Sequence, residues 1–326
     1  MNRETLLNAV LAFLLLALPF LALALDEPFY IDLATRVAVL GLAATGLNLA
    51  LGVGGLVSFG HAAFFGIGGY VAGVMATHAF NAEPLFTTPF TLSASDLLPA
   101  IWIAAIAFGA LLALPIGAIS LRTSGVYFIM ITLAFAQMVY YFAISWPAYG
   151  GEDGLALSVR NTLPGLDTAD SLTFFLICYA MLMAGLAAFA VLRNSRFGAA
   201  LETAWQNEVR LAALGVAPFR VRLVAFALSA GITSLAGALY ADLNKFVSPS
   251  MLSWHMSGVL IVLVILGGVR RLFGPLAGAM LYIVLEFALG GLTERWQLFF
   301  GLILLGVVLF ARGGLVGVLA GRPRHG

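Results

Sequence analysis

Lysine is almost missing from this chain. Lys245 is the sole example, and it follows Asn244, so no Gly-Lys-Ser/Thr phosphate loop can be built and ATP hydrolysis of the P-loop kind is excluded for this polypeptide. Charge of either sign is scarce, at 10% of residues, against about 25% in ordinary soluble domains. Cysteine is represented by Cys178 alone, inside an apolar run, which excludes an internal disulfide and reads as a packing residue. His61, His78, His255 and His325 are scattered without a second ligand at helical spacing, so no metal site and no cofactor is implied. Serine, histidine and acid form no nucleophile signature. A net charge of +1 offers nothing to a nucleic acid. Soluble enzymes and nucleic-acid binders are therefore set aside.

What the chain has in abundance is grease and glycine. Hydrophobic residues make up 62% of 326, the mean hydropathy is +1.05, and there are 36 glycines. So little polar surface cannot cover a globule in water, whereas glycine is common where membrane helices pack closely. The fold class read from this is an all-α polytopic membrane protein, residues 1–326 forming a single domain.

A helix crossing a hydrocarbon core of about 30 Å needs about 20 apolar residues. Runs of that kind are Thr5–Leu25, Leu33–Gly52, His61–Phe80, Leu97–Leu121, Gly125–Trp146, Ser171–Leu192 and Val221–Ala241, followed by the shorter Met251–Gly268, Pro275–Gly291 and Trp296–Arg312. Together they predict ten spans. Starting from Arg3 inside, alternation puts Arg122, Arg193, Arg196, Arg210, Arg220, Arg222, Arg270, Arg271, Arg312, Arg322 and Arg324 on the inner side. Only Arg36, Arg160, Lys245 and Arg295 are left outside, and the acidic segments Asp26–Asp32, Asn81–Asp96 and Pro147–Asp170 fall outside too. This satisfies the positive-inside rule with both termini cytoplasmic. The first run, with Arg3 before it and Ala22-Leu23-Ala24 at its end, also has the outline of a cleavable signal, but it is longer than such regions usually are.

Gly69/Gly73 and Gly274/Gly278 have the four-residue spacing of tight helix contacts. Leu51–His61 is glycine-rich and predicts either a tight turn or a break that lines a path. Glu286 and Arg36 are the ions well inside apolar runs, both nearer the outer side, where they either snorkel, pair or serve substrate. The 193–222 segment differs from the rest. At 100° per residue Phe197, Leu201, Ala204, Trp205, Val209, Leu211 and Ala212 share an arc, with Glu202, Thr203, Gln206, Asn207 and Arg210 opposite and Glu208 interrupting the apolar face. One amphipathic helix is expected there, stopped by Gly215 and Pro218. Periodicity leaves open whether it lies on lipid or receives a soluble partner.

Asn48–Gly52 and Gly55–Tyr70 (GLVSFGHAAFFGIGGY), Arg122–Phe128, Thr132–Ala136, Gly150–Leu155, Asn207-Glu208 with Ala213–Val216, Ala225–Ala230, and Gly267-Gly268 with Gly274–Gly278 occur in order. This set resembles the inner-membrane permeases of branched-chain amino acid ABC importers, the LivM type, from about Leu33 to Gly317. Ala199 and Gln206 stand where the resemblance leads one to expect basic side chains.

The resemblance implies a permease subunit of an ATP-driven importer in the bacterial inner membrane. It implies as partners a LivH-like second permease, two cytoplasmic ATPases and an external binding protein. The ATPases would grip the 193–222 loop, with Glu202, Gln206, Asn207, Glu208, Arg210 and Gly215 as coupling residues. Asn48, Gly52, Gly55, Ser58, His61 and Glu286 are the candidates for path or hinge. The competing expectation is a secondary transporter driven by an ion gradient, which the scarcity of intramembrane acids disfavours.

Overall fold

Proline, glycine and a few capping side chains set where the helices begin and end. In the computed structural model, which describes residues 3–82, 84–86, 92–158, 160–311 and 313–321, helix α1 is Arg3–Ala24, α2 Phe29–Asn48, α3 His61–Phe80, α4 Leu98–Ser120, α5 Val126–Ile144 and α6 Ser171–Asn194. Two short helices follow, α7 Arg196–Gln206 and α8 Glu208–Ala213. Then come α9 Pro218–Asn244, α10 Trp254–Gly267, α11 Gly274–Gly290, α12 Trp296–Phe310 and α13 Gly314–Ala320. Arg312, Arg322, Arg324 and His325 lie outside the described residues.

Proline sits in the first turn of α4, α9 and α11, where its missing N–H costs nothing. Asp170 caps α6 by accepting from the Thr173 amide, and that bond together with the Thr173 hydroxyl holds its carboxyl below the usual carboxylate range.

Seven helices, α1 to α6 and α9, are long and apolar enough to cross a membrane, among the described residues. Helix α2 is the central post: with the π-helical turn Leu49–Val53 that prolongs it, it is almost wholly buried, packed by α6, α9, α10 and α11. Helix α9 is the second hub and packs on α2, α3 and α4. The outer faces of the bundle are apolar and open, as at Phe13, Ile103, Tyr127 and Phe310. Exposed surface of that kind belongs in lipid.

The close approaches run through glycine. A methyl on Gly68 would overlap the Ser234 carbonyl, and one on Gly237 the Phe65 carbonyl, so α3 and α9 meet backbone to backbone. Gly278 faces the Leu263 carbonyl and Gly267 the Gly274 carbonyl, joining α10 to α11 in the same way. Of the pairs expected from spacing, Gly274/Gly278 lies in that contact. Gly69 and Gly73 instead receive Met251 and Val247.

That detail corrects the eighth apolar run. The chain leaves α9 through Lys245 in the left-handed region (φ 51°) and pairs β4 (Phe246–Val247) with β3 (Leu155–Ala156). It then turns through the 3-10 segment Pro249–Leu252, with Leu252 packed on Gly66. Helix α10 starts only at Trp254 and, at 14 residues, is about 21 Å long. Serine, proline and the 3-10 turn break the run expected to be helical from Met251. A second small ladder, β1 (Pro84–Phe86) with β2 (Leu92–Ser93), lies between α3 and α4.

The ends of the elements sort onto two faces. Arg271 contacts Glu4 at 3.5 Å and donates to the Gly321 carbonyl at 2.7 Å, while Arg270 pairs with Glu202. The start of α1, the end of α13, helix α7 and the α10–α11 turn therefore share one arginine-rich face. The β3–β4 ladder and the contact of Thr162 with Asp96 lie at the opposite face, across the length of α9.

Candidate functional site

The single amphipathic helix expected in the 193–222 segment is two helices. Asn207 takes extended backbone (φ −158°, ψ 99°), its side-chain oxygen accepts from the Arg210 amide at 3.0 Å, and it thereby ends α7 and caps α8. The break turns the apolar arc. Leu201, Ala204 and Leu211 are buried and Phe197 packs beside Phe189 and Ala225. Val209, however, is 79% exposed and Leu214 72% exposed among the described residues. Gly215 ends the unit in the left-handed region (φ 80°), and Pro218 opens α9.

Two arginines fasten this unit to the bundle. Arg222 of α9 pairs with Glu208 and donates to the Ala204 carbonyl at 2.7 Å, bridging α8 and the last turn of α7. Arg270 pairs with Glu202, which also accepts from Gln206 at 3.3 Å. Its guanidinium lies over the Trp205 ring, 5.1 Å from the centroid. The Arg210 side chain is exposed.

Arg270 itself is held in an unusual backbone conformation, φ 70°. Such a conformation costs about 1–3 kcal/mol in a non-glycine residue and persists only where surroundings fix it. Asn48, at the end of α2, does the fixing. Its Oδ1 accepts from the Arg270 amide and its Nδ2 donates to the Arg271 carbonyl, both at 3.1 Å. Gly52, one turn on, lets the Arg270 backbone close in, since a methyl there would sit 3.0 Å from the Arg270 nitrogen. Gly55 (φ 66°) lies flat against the Trp205 indole. Five of the expected residues, Glu202, Gln206, Asn48, Gly52 and Gly55, are thus one assembly organised by Arg270 and Trp205.

The 54–60 segment, expected as a tight turn or a path-lining break, is an irregular stretch of mostly buried backbone with turns at its two ends. Hydroxyls of two helices and of the segment itself bond its backbone around Phe59. Ser58 Oγ accepts from the Gly60 amide at 3.1 Å, and Thr132 of α5 accepts from the Phe59 amide at 3.3 Å. Ser257 of α10 donates to the Phe59 carbonyl at 2.6 Å and accepts from the Ala62 amide at 2.9 Å. His61 opens α3, fully buried, with Nε2 at 2.8 Å from Ser229 Oγ. Ser229 donates its one proton to the Gly46 carbonyl at 2.6 Å, so its oxygen accepts from His61 Nε2–H. Phe64 and Phe226 box the imidazole edge to face. Bonds of this kind let an unwound segment exist at membrane depth.

Glu286 lies elsewhere, on α11 beside Arg36 of α2, and the two are paired at 3.1 Å near the acidic face. Thr132 and Ser229 lie in stretches that carried the family resemblance but were not read as site residues, and neither Ser257 nor the buried pairing of Asp242 with Asn161 at 2.6 Å was singled out. Arg270 and Trp205 carried signals read for other purposes, the one as topogenic charge and the other as part of an apolar arc.

The profile of a family described as the permease component of a branched-chain amino acid transport system matches residues 29–310. The chain is 27% identical to the high-affinity branched-chain amino acid transport system permease protein LivM of Salmonella typhimurium, covering 93% of this chain and 74% of that protein. It is likewise 27% identical to the LivM of Escherichia coli, over 91% of this chain and 73% of the relative. No solved structure matches.

Proposed function

The chain belongs to the family of branched-chain amino acid transport permeases, and from that premise we propose that it is the permease subunit of an ATP-driven importer in a bacterial inner membrane. Two cytoplasmic ATPases dock on α7–α8, a second permease completes the pathway, and an external binding protein delivers a branched-chain or related amino acid. In this reading the arginine-rich face is cytoplasmic, as the positive-inside rule requires, and the chain crosses ten times. The eighth crossing is completed by the 246–253 segment ahead of α10, and the tenth is α12.

The observation that carries the reading is the Arg270–Trp205 assembly. A small helical unit, exposing Val209 and Leu214, is fastened to the bundle where Trp205 lies on the broken backbone at Gly55 and where Glu202 pairs with Arg270, itself held by Asn48 at the end of the central post. A push on α7–α8 is therefore delivered to two places. Through Trp205 it reaches the irregular 54–60 segment that precedes α3. Through Arg270 it reaches the α10–α11 turn and α2. Rigid-body displacement of such a unit, with packed helices sliding on glycine contacts, is an established route to alternating access. The chemistry of ATP stays in the partner chains.

The test is reconstitution. The permeases, ATPases and binding protein together in proteoliposomes should take up radiolabelled leucine only with ATP inside. Uptake by this chain alone under a proton or sodium gradient would instead establish a secondary transporter.

A further inference from the structure

The Arg36–Glu286 pair borders a cavity of about 360 Å³ near the acidic face, between the first turns of α2, the end of α9 and the last turns of α11. That volume is in the range of small-ligand sites. Leu33, Leu243, Ile283 and Phe287 supply apolar walls, and Asp32, exposed one turn above Arg36 on the same helix face, adds a carboxylate at the mouth. The pair uses Arg36 Nη2 and Glu286 Oε1, while Arg36 Nε and Glu286 Oε2 have no partner among the described residues.

Stability alone does not account for these ions. A partly buried ion pair is a weak stabiliser, and two apolar side chains would join α2 to α11 at least as well. Side chains of both signs, partly exposed and each carrying a buried unpartnered atom, side by side against aliphatic walls, are the complement of a zwitterion. An anion alone would meet two carboxylates, and an amine alone would leave the guanidinium unmatched.

We propose that this cavity is an outer subsite for an α-amino acid with an aliphatic side chain. The ligand carboxylate lies on the Arg36 guanidinium and the ammonium on Glu286, with Asp32 attracting the ammonium at the mouth and the side chain lying against Leu33, Leu243 and Ile283. Rotation of the two side chains brings their unpartnered atoms to the ligand without parting the pair. The inference rests on the permease reading and adds to it where the cargo meets this chain. A zwitterionic lipid headgroup, phosphatidylethanolamine, shares the ligand's charges, and the test separates the two.

The assembled importer in nanodiscs, with and without phosphatidylethanolamine, is irradiated with photo-leucine and the adducts are mapped by mass spectrometry. Adducts are expected in the 29–36 and 283–287 segments in both lipid mixtures, suppressed by excess leucine but not by 4-methylvalerate or isoamylamine. Glu286→Gln and Arg36→Lys should each lower labelling about tenfold or more, the scale of one lost charge-assisted hydrogen bond. Should either variant fail to fold, the exchanged pair Arg36→Glu with Glu286→Arg restores the ion pair and should still label poorly. Labelling elsewhere, labelling displaced by the lipid but not by leucine, or wild-type labelling in the exchanged pair would each overturn the proposal. ATP-driven uptake by the same wild-type complex reports separately on the importer reading.

Discussion

The Trp205 indole occupies the space that a side chain on Gly55 would need. A tryptophan on the short helix α7 and a left-handed glycine in the broken stretch before α3 thus form a contact that tolerates no added atom on the glycine side. Gly55→Ala drives a methyl into the ring and strains a backbone at φ 66°, at a cost of about 1–2 kcal/mol for the conformation alone. The expected outcome is an assembled complex whose substrate-stimulated ATP hydrolysis falls about tenfold. Adding Trp205→Ala should recover part of the loss, and a double-mutant cycle reads the coupling. Strict additivity would place the two residues in independent roles.

Arg270→Lys keeps the charge beside Glu202 but loses the planar stack on Trp205. Both members of the ion pair are about two-fifths exposed, and exposed pairs are worth about 0–1 kcal/mol. The melting temperature in detergent should therefore shift by no more than a few degrees, while uptake per ATP hydrolysed drops. A large loss of thermal stability with unchanged coupling would mean the contact is only structural.

Ser229→Ala removes the acceptor of His61 Nε2–H and the donor to the Gly46 carbonyl, all within a fully buried cluster. The Gly46 carbonyl keeps the Leu49 amide, but the buried His61 Nε2–H is left without a partner, which costs about 1–3 kcal/mol, so the melting temperature should fall clearly. A variant as stable as the wild type would show that this hydrogen-bond chain is not made.

Gly68→Ala and Gly237→Ala place methyls on opposing carbonyls and should push α3 from α9, lowering folded yield. Gly258 and Gly306, helical and with nothing among the described residues within 4 Å of an added methyl, are the controls. Alanine there should be neutral or stabilising, by up to about 1 kcal/mol. Equal effects at all four positions would contradict backbone-to-backbone packing.

Asp170→Ala removes the α6 cap and should cost about 1 kcal/mol at neutral pH. The folded carboxyl titrates below its ordinary value because the Thr173 hydroxyl and amide bind its charged form. The contribution is therefore complete above the unfolded value of about 3.9 and is lost as pH falls through the lowered folded one. Denaturation of the two proteins should differ at neutral pH and converge in acid.

Much of this architecture was legible because a bilayer asks for length and apolarity, which run lengths report directly. The first seven apolar runs are helices within a few residues of their expected ends. The chain ahead of α10 escaped notice because Met251 and Leu252, which end the 249–252 turn, are as apolar as the helix they lead into. Asn207 hid the break between α7 and α8 for a related reason: a capping side chain changes the backbone without disturbing a 100° count until Val209 swings outward. Arg36 and Glu286 were readable as ions at similar depth in separate spans, and they pair. The residues gathered around Arg270 come from three distant stretches of chain, 48–55, 202–206 and 270–271, and no spacing in the sequence links them.

The most direct test of the account is substrate-stimulated ATP hydrolysis by the assembled importer carrying Val209→Asp. Val209 is 79% exposed among the described residues, so folding and membrane insertion should be intact. If α7–α8 is where the ATPases dock, stimulation should be abolished and the ATPases should no longer co-purify with the permease. Wild-type stimulation with the ATPases still bound would contradict it.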